Sequence, residues 1–139
     1  MADHVRKQIR DAVVTLLTGL TTTGTNVFAS RVWPLNENDL PCLLVFATDE
    51  QSERRSMGGG YDRELNLVIQ GIVRTAEATL DDALDTIALE VETVMNADRK
   101  FGGLASQSYL RATELTLDGE GDKPHGLIRL TYAVRYQTG

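Results

Sequence analysis

The residues most able to do chemistry in this chain are two histidines, one cysteine and a few short clusters of acids or glycines. A metal site or an activated nucleophile needs several ligating or basic groups at defined spacing. His4 stands at the chain start and His125 reads as part of a turn, so neither has a partner nearby in sequence. Cys42 opens an apolar run, where a thiol is an inert packing residue. Asp118, Glu120 and Asp122 alternate in a glycine-rich stretch, but Pro124 and a strand follow where a calcium loop would continue to a glutamate and a helix. Gly58-Gly59-Gly60 also leads into a strand, whereas phosphate loops lead into a helix N-terminus. Asp49 and Glu50 are neighbours on an extended segment, so their side chains diverge. Asp81 and Asp82 follow Thr79 in the manner of a capping box, with Thr79 as N-cap and Asp82 reaching back. No acid/base pair, metal cluster or phosphate cradle emerges. No catalytic, cofactor-binding or metal-binding residue is assigned, no cofactor is expected, and the chain reads as a non-enzyme.

The elements that would position these residues follow from hydrophobic spacing. Val5, Ile9, Ala12, Val13, Leu16 and Leu20 recur with helical period, which predicts a helix from Asp3 to Gly19. Val27 to Val32 reads as a short strand and Trp33 to Asp39 as a loop. Cys42 to Ala47 is apolar on both faces and predicts a strand covered on both sides. Asp49 to Gly60 is polar and reads as a long mobile loop between paired strands. Arg63 to Arg74 is the next strand. Leu80, Leu84, Ile87, Ala88, Val91, Val94 and Met95 form the stripe of a second helix, ending near Asn96. Tyr109 to Leu117 is a strand whose apolar parity slips, which predicts a bulge near Thr113. Asp118 to Pro124 is a hairpin loop by composition. In the last strand Ile128, Leu130, Tyr132, Val134 and Tyr136 face one way, and Arg129, Thr131, Arg135 and Gln137 the other. The order is α-β-β-β-α-β-β. The expected class is α/β (α+β), one domain over residues 1–139, with a mainly antiparallel sheet of about five strands and two helices packed on it.

The formal net charge is −6 and the isoelectric point about 4.8. That balance argues against a protein that grips nucleic-acid phosphates, which needs a concentrated positive field. A lone cysteine implies no oxidising compartment. The chain start lacks the apolar run of a signal peptide, and no apolar stretch is long enough to span a bilayer, so a cytoplasm-like setting without a membrane is expected.

Residues with no chemical task are candidates for contacts with other subunits. Arg6, Lys7 and Arg10 give the first helix a basic side, and Asp82 and Asp85 help give the second an acidic one. Val14 and Leu89 lie roughly opposite the apolar stripes of their helices, which suits a face buried only on assembly. In the polar stretch after the central strand, Glu50, Arg54, Arg55 and Met57 are candidate contacts, with the two arginines as charged anchors.

Three stretches in order carry a resemblance. They are "VFASRVWPL" (Val27 to Leu35) with the strand ending Thr48-Asp49-Glu50; "YDRELNLVIQGIV" (Tyr61 to Val73) with "TLDDALDTIALEVE" (Thr79 to Glu92); and "LIRLTYAVRYQTG" (Leu127 to Gly139). Together they resemble the tail terminator, or minor tail protein U-like, family of long-tailed bacteriophages. The resemblance implies a structural subunit of a homo-hexameric ring at the head-proximal end of the virion tail, assembled in the host cytoplasm. The ring would cap the tail tube protein, end its polymerisation and offer a surface to the head-side connector protein. DNA would pass through the lumen without specific binding. The family is defined by fold and assembly, so the resemblance transfers no site residues. Two alternatives stay open at this point. One is another head-tail joining or neck protein. The other is a small enzyme or ligand-binding domain on a ferredoxin-like sheet, with a pocket lined for example by Asp49, His125 and Tyr132.

Overall fold

The structure, a computed structural model, describes residues 4–29, 40–55, 58–75, 77–118 and 125–138. The expectations for Asp3, for residues 30–32 of the first strand, for the 33–39 loop, for Met57 and for the 119–124 loop with Glu120 and Asp122 lie outside the described residues. The elements run α1 (Val5–Leu17), β1 (Val27–Phe28), β2 (Cys42–Arg54), β3 (Tyr61–Arg74), α2 (Glu77–Ala97), a 3-10 turn at Phe101–Gly103, β4 (Gln107–Asp118) and β5 (His125–Thr138). They form an α+β fold, with the strands in one sheet of order β1-β2-β3-β5-β4. β1 runs parallel to β2 and every other pairing is antiparallel.

α1 forms where the sequence places it. His4 caps it, its Nδ1 accepting the Arg6 backbone N–H at 3.0 Å, and Ile9, Val13 and Leu17 are fully buried. Gly19, at φ +99°, lets the chain leave the helix. α2 starts at Glu77, earlier than expected, so Thr79 lies in the first turn and is not the N-cap. Its hydroxyl instead sits 3.1 Å from that of Thr75. The expected capping role of Asp82 therefore falls away. Two glycines bring α2 close to the sheet: a Cβ at Gly71 would lie 3.0 Å from the Ile87 side chain, and one at Gly126 would lie 2.8 Å from that of Leu80.

β2 differs most from expectation. Cys42 to Phe46 are buried, as a strand covered on both sides requires. The strand does not stop at Ala47. After a bulge at Thr48 it pairs with β3 through Asp49↔Asn66 to Arg54↔Tyr61. The expected loop over residues 49–60 is thus half strand, and the chain turns only after Arg54. The polar residues misled the reading because beyond Glu50 the hairpin extends past the core and β2 is wet on both faces. The parity slip in β4 is a bulge at Arg111, two residues before the expected place. His125 lies not in a turn but at the start of β5, opposite Arg74 and Asp118.

The main core lies between the helices and one face of the sheet, where Ile128, Leu130, Tyr132, Val134 and Tyr136 of β5 alternate inward as expected. A second cluster on the other face joins Cys42, Leu44, Phe46, Val68 and Ile72. Val14 is half-buried and packed against the main core, so it is not the outward residue expected.

Candidate assembly interface

The candidate contact residues separate into those the fold uses internally and those it leaves outside. Glu50 belongs to the first group. Its side chain is only 9% exposed. It accepts from Arg6 Nη1 at 2.6 Å, from Arg63 Nη1 at 3.1 Å and from the Tyr136 hydroxyl. Arg63 also donates to the Thr138 hydroxyl at 3.0 Å and stacks its guanidinium over the Tyr61 ring at 5.0 Å. Burial first, and then the Glu50 hydrogen bond, push the Tyr136 phenol above its ordinary range. The His4 ring meets the Tyr136 ring edge-on at 6.4 Å. Arg6 and Glu50 therefore pin the start of α1 to the sheet. Asp49, on the opposite face, is exposed. The Asn66 amide and then the Thr48 hydroxyl hold its carboxyl below the usual range. The two acids diverge as strand geometry requires.

Arg55 is likewise engaged within the chain. Its guanidinium reaches Gln137 Oε1 at 3.2 Å, the Thr138 carbonyl at 3.1 Å and Asp62 at 3.8 Å. It ties the hairpin tip to the end of β5 and lies directly over Gly60, where a Cβ would be 2.7 Å from Nη2. Arg54 is exposed at the end of β2.

The second group faces outward. Lys7 pairs with Asp11 at 2.9 Å on the exposed side of α1. Arg10 lines a shallow groove with Arg6, Ala47, Thr48, Asp49 and Glu50, on the β2 side of the molecule. Asp82 and Asp85 are exposed on α2, and Leu89 is 68% exposed.

Sequence reasoning placed β4 as a strand but missed the exposure of its apolar residues. Tyr109, Leu115 and Leu117 are 42%, 53% and 57% exposed, so among the described residues three of the five exposed large apolar side chains are on this one strand. β4 is one of the two outer strands of the sheet, at the end opposite β1. Arg111 at its bulge reaches across the helix-free face to Glu64 and to Asn66 Oδ1 at 2.7 Å. Alternating Glu114-Leu115-Thr116-Leu117 reads the same whether a helix covers the strand or not, so no local signal could have exposed it.

The structure does not bring together the residues of the enzyme alternative. Asp49 lies on the helix-free face, Tyr132 is buried under the helices, and His125 begins β5 at the other end of the sheet. Among the described residues no group of histidine, cysteine or acidic side chains could hold a metal ion. Nor is any helix among them long and apolar enough to cross a membrane.

This arrangement of surfaces can be set beside known proteins. The family model described as phage minor tail protein U matches residues 4–136. No curated protein matches the chain. Among solved structures, a chain in the virion of a native gene transfer agent particle is similar in fold: TM-score 0.56, 23% identity, covering 96% of this chain and 92% of that one. The family model, matched over nearly the whole chain, leads to one assignment: the chain belongs to the phage minor tail protein U family and is a structural tail protein.

Proposed function

We propose that this chain is the terminator of a phage tail. Six copies form a ring at the head-proximal end of the virion tail, cap the tail tube protein, end its polymerisation and offer a surface to the head-side connector protein. The family match over residues 4–136 carries this reading. The residue chemistry supports it, because the outward-facing side chains are suited to contacts and not to turnover. The net charge of −6 supports a lumen through which DNA passes without being held. Assembly takes place in the host cytoplasm, and the chain acts as one domain.

Negative-stain electron microscopy of tails carrying labelled protein tests the reading. The expected result is label confined to the end of the tube that meets the head, with ring-shaped end views. Label along the tube, on the head or at the distal tip would overturn it.

A further inference from the structure

β4 changes character along its length. Its first half is tied into the fold. Just before it, the Ser106 N–H donates to the Arg135 carbonyl at 2.8 Å, and the Ser108 hydroxyl donates to the Arg99 carbonyl at 2.8 Å. Ser108 is buried, and Leu110 packs against the main core. Residues 111–117, by contrast, are all exposed, so this part of the strand is wet on both faces. The helices pack over β1, β2, β3 and β5. No strand among the described residues pairs with the outer edge of β4. The outer half therefore hangs on its backbone ladder with β5, from Ala112↔Thr131 to Asp118↔His125.

The change falls at the bulge. Leu110 pairs with Tyr132 and Ala112 with Thr131, which leaves Arg111 over and interrupts the ladder. The Arg111 side chain crosses the helix-free face. Its Nη1 donates to Asn66 Oδ1 at 2.7 Å, and its Nη2 donates to Glu64 and to the Tyr109 hydroxyl, the latter at 3.3 Å. The Asn66 amide in turn donates to both carboxylate oxygens of Asp49 at 3.1 Å. Asp49, Asn66, Ala133 and Tyr109 form one row across β2, β3, β5 and β4. Ala133 sits in the middle of that row and is fully buried. Its small methyl group leaves the guanidinium room to pass over β5. One polar chain thus ties four strands together at the level where the outer half of β4 begins.

We propose that Arg111 is a clasp that divides β4 into an anchored half and a releasable segment, residues 112–118, which opens from β5 while the rest of the fold stays closed. Opening is easy for three physical reasons. Leu115 and Leu117 are already more than half exposed, so release uncovers little further apolar surface on them. The ladder bonds that are lost are exchanged for bonds to water, so each contributes little net. The released residues regain backbone freedom. Two features stop the opening at residue 111: the ladder is already broken there, and the guanidinium holds the row beneath it to β3. Release frees the edge of β5 opposite residues 112–118, so this segment is where the sheet can rearrange without disturbing the core. The device belongs to the single chain and does not rest on the tail role.

Residue-resolved amide hydrogen exchange tests the device on the full chain, dilute enough that sedimentation shows single copies. Among the β4 amides that face β5, those in residues 112–118 are expected to exchange about 100-fold or more faster than those in residues 107–110. Equal protection in the two halves overturns the releasable segment, whatever any variant does. The clasp is read in Arg111→Ala, with circular dichroism as the check that it folds. Residues 107–110 are expected to lose about 10-fold or more of their protection, while residues 42–46 keep theirs. Arg111→Lys keeps the charge but cannot reach Asn66 and Glu64 with two prongs, and is expected to lose protection at the same residues. Unchanged protection at 107–110 in the alanine variant overturns the clasp. So does a loss spread evenly over the whole sheet, because a merely stabilising side chain would act on every strand alike.

Discussion

Glu50 accepts hydrogen bonds from side chains of three different elements: Arg6 on α1, Arg63 on β3 and Tyr136 on β5. In sequence it reads as one acid in a polar stretch, and Arg6 as part of a solvated helix face. Nothing local reveals that residues 44 positions apart share an ion pair. Replacing Glu50 with alanine leaves two arginines and a phenol without their acceptor. The expected loss is about 1.5–3 kcal/mol, moderated because Arg6 is partly in water. Urea denaturation reads it, and a loss below about 0.5 kcal/mol would remove Glu50 from the account. Tyr132 and Tyr136 add a pH dependence. Burial is the main cause that raises both phenols above their ordinary value, so the fold holds these protons more tightly than the unfolded chain does. Their contribution is complete below about pH 10, where unfolded tyrosine begins to ionise, and is lost as pH rises further. Stability is therefore expected to fall with pH above about 10, and a Tyr132→Phe variant is expected to show a shallower fall.

At the scale of elements, legibility followed dryness. α2 and β5 were readable because each has one dry face and one wet face, so the period shows in the residues. The first half of β2 was readable because both its faces are dry. Its second half was not, because Asp49 to Arg54 pair with β3 by backbone hydrogen bonds that no side-chain pattern reports. Hydrogen exchange distinguishes this arm from the expected loop: alternate amides in residues 49–54 should be protected, more weakly than those in residues 42–46. Uniformly fast exchange across 49–54 would contradict the strand. The approach of α2 to β5 is also set by a residue that a hydrophobic pattern passes over. Gly126→Ala would press a methyl group against buried Leu80 and Leu84. It is expected to cost about 1–3 kcal/mol by overpacking, measurable by thermal or urea denaturation. β4 was placed correctly as a strand, but its exposure depends on where the helices end, which is a property of the tertiary arrangement.

For the whole molecule, the absence of a chemical cluster in the sequence and the order of its elements pointed to a subunit made to meet others. The structure ties Arg6, Glu50 and Arg55 to partners within the chain, half-buries Val14 and Arg10, and leaves Lys7, Asp82, Asp85 and Leu89 exposed, with the bare apolar residues of β4 as the largest feature not foreseen. Family membership makes the chain a tail protein, and the terminator role is the reading built on it. Tail length in particles assembled without this chain tests that role most directly. If the chain ends polymerisation, electron micrographs will show tubes much longer than normal and broadly distributed in length, and supplying the chain will restore one uniform length. Free tails of normal length in its absence would contradict the account and assign the chain to a later joining step.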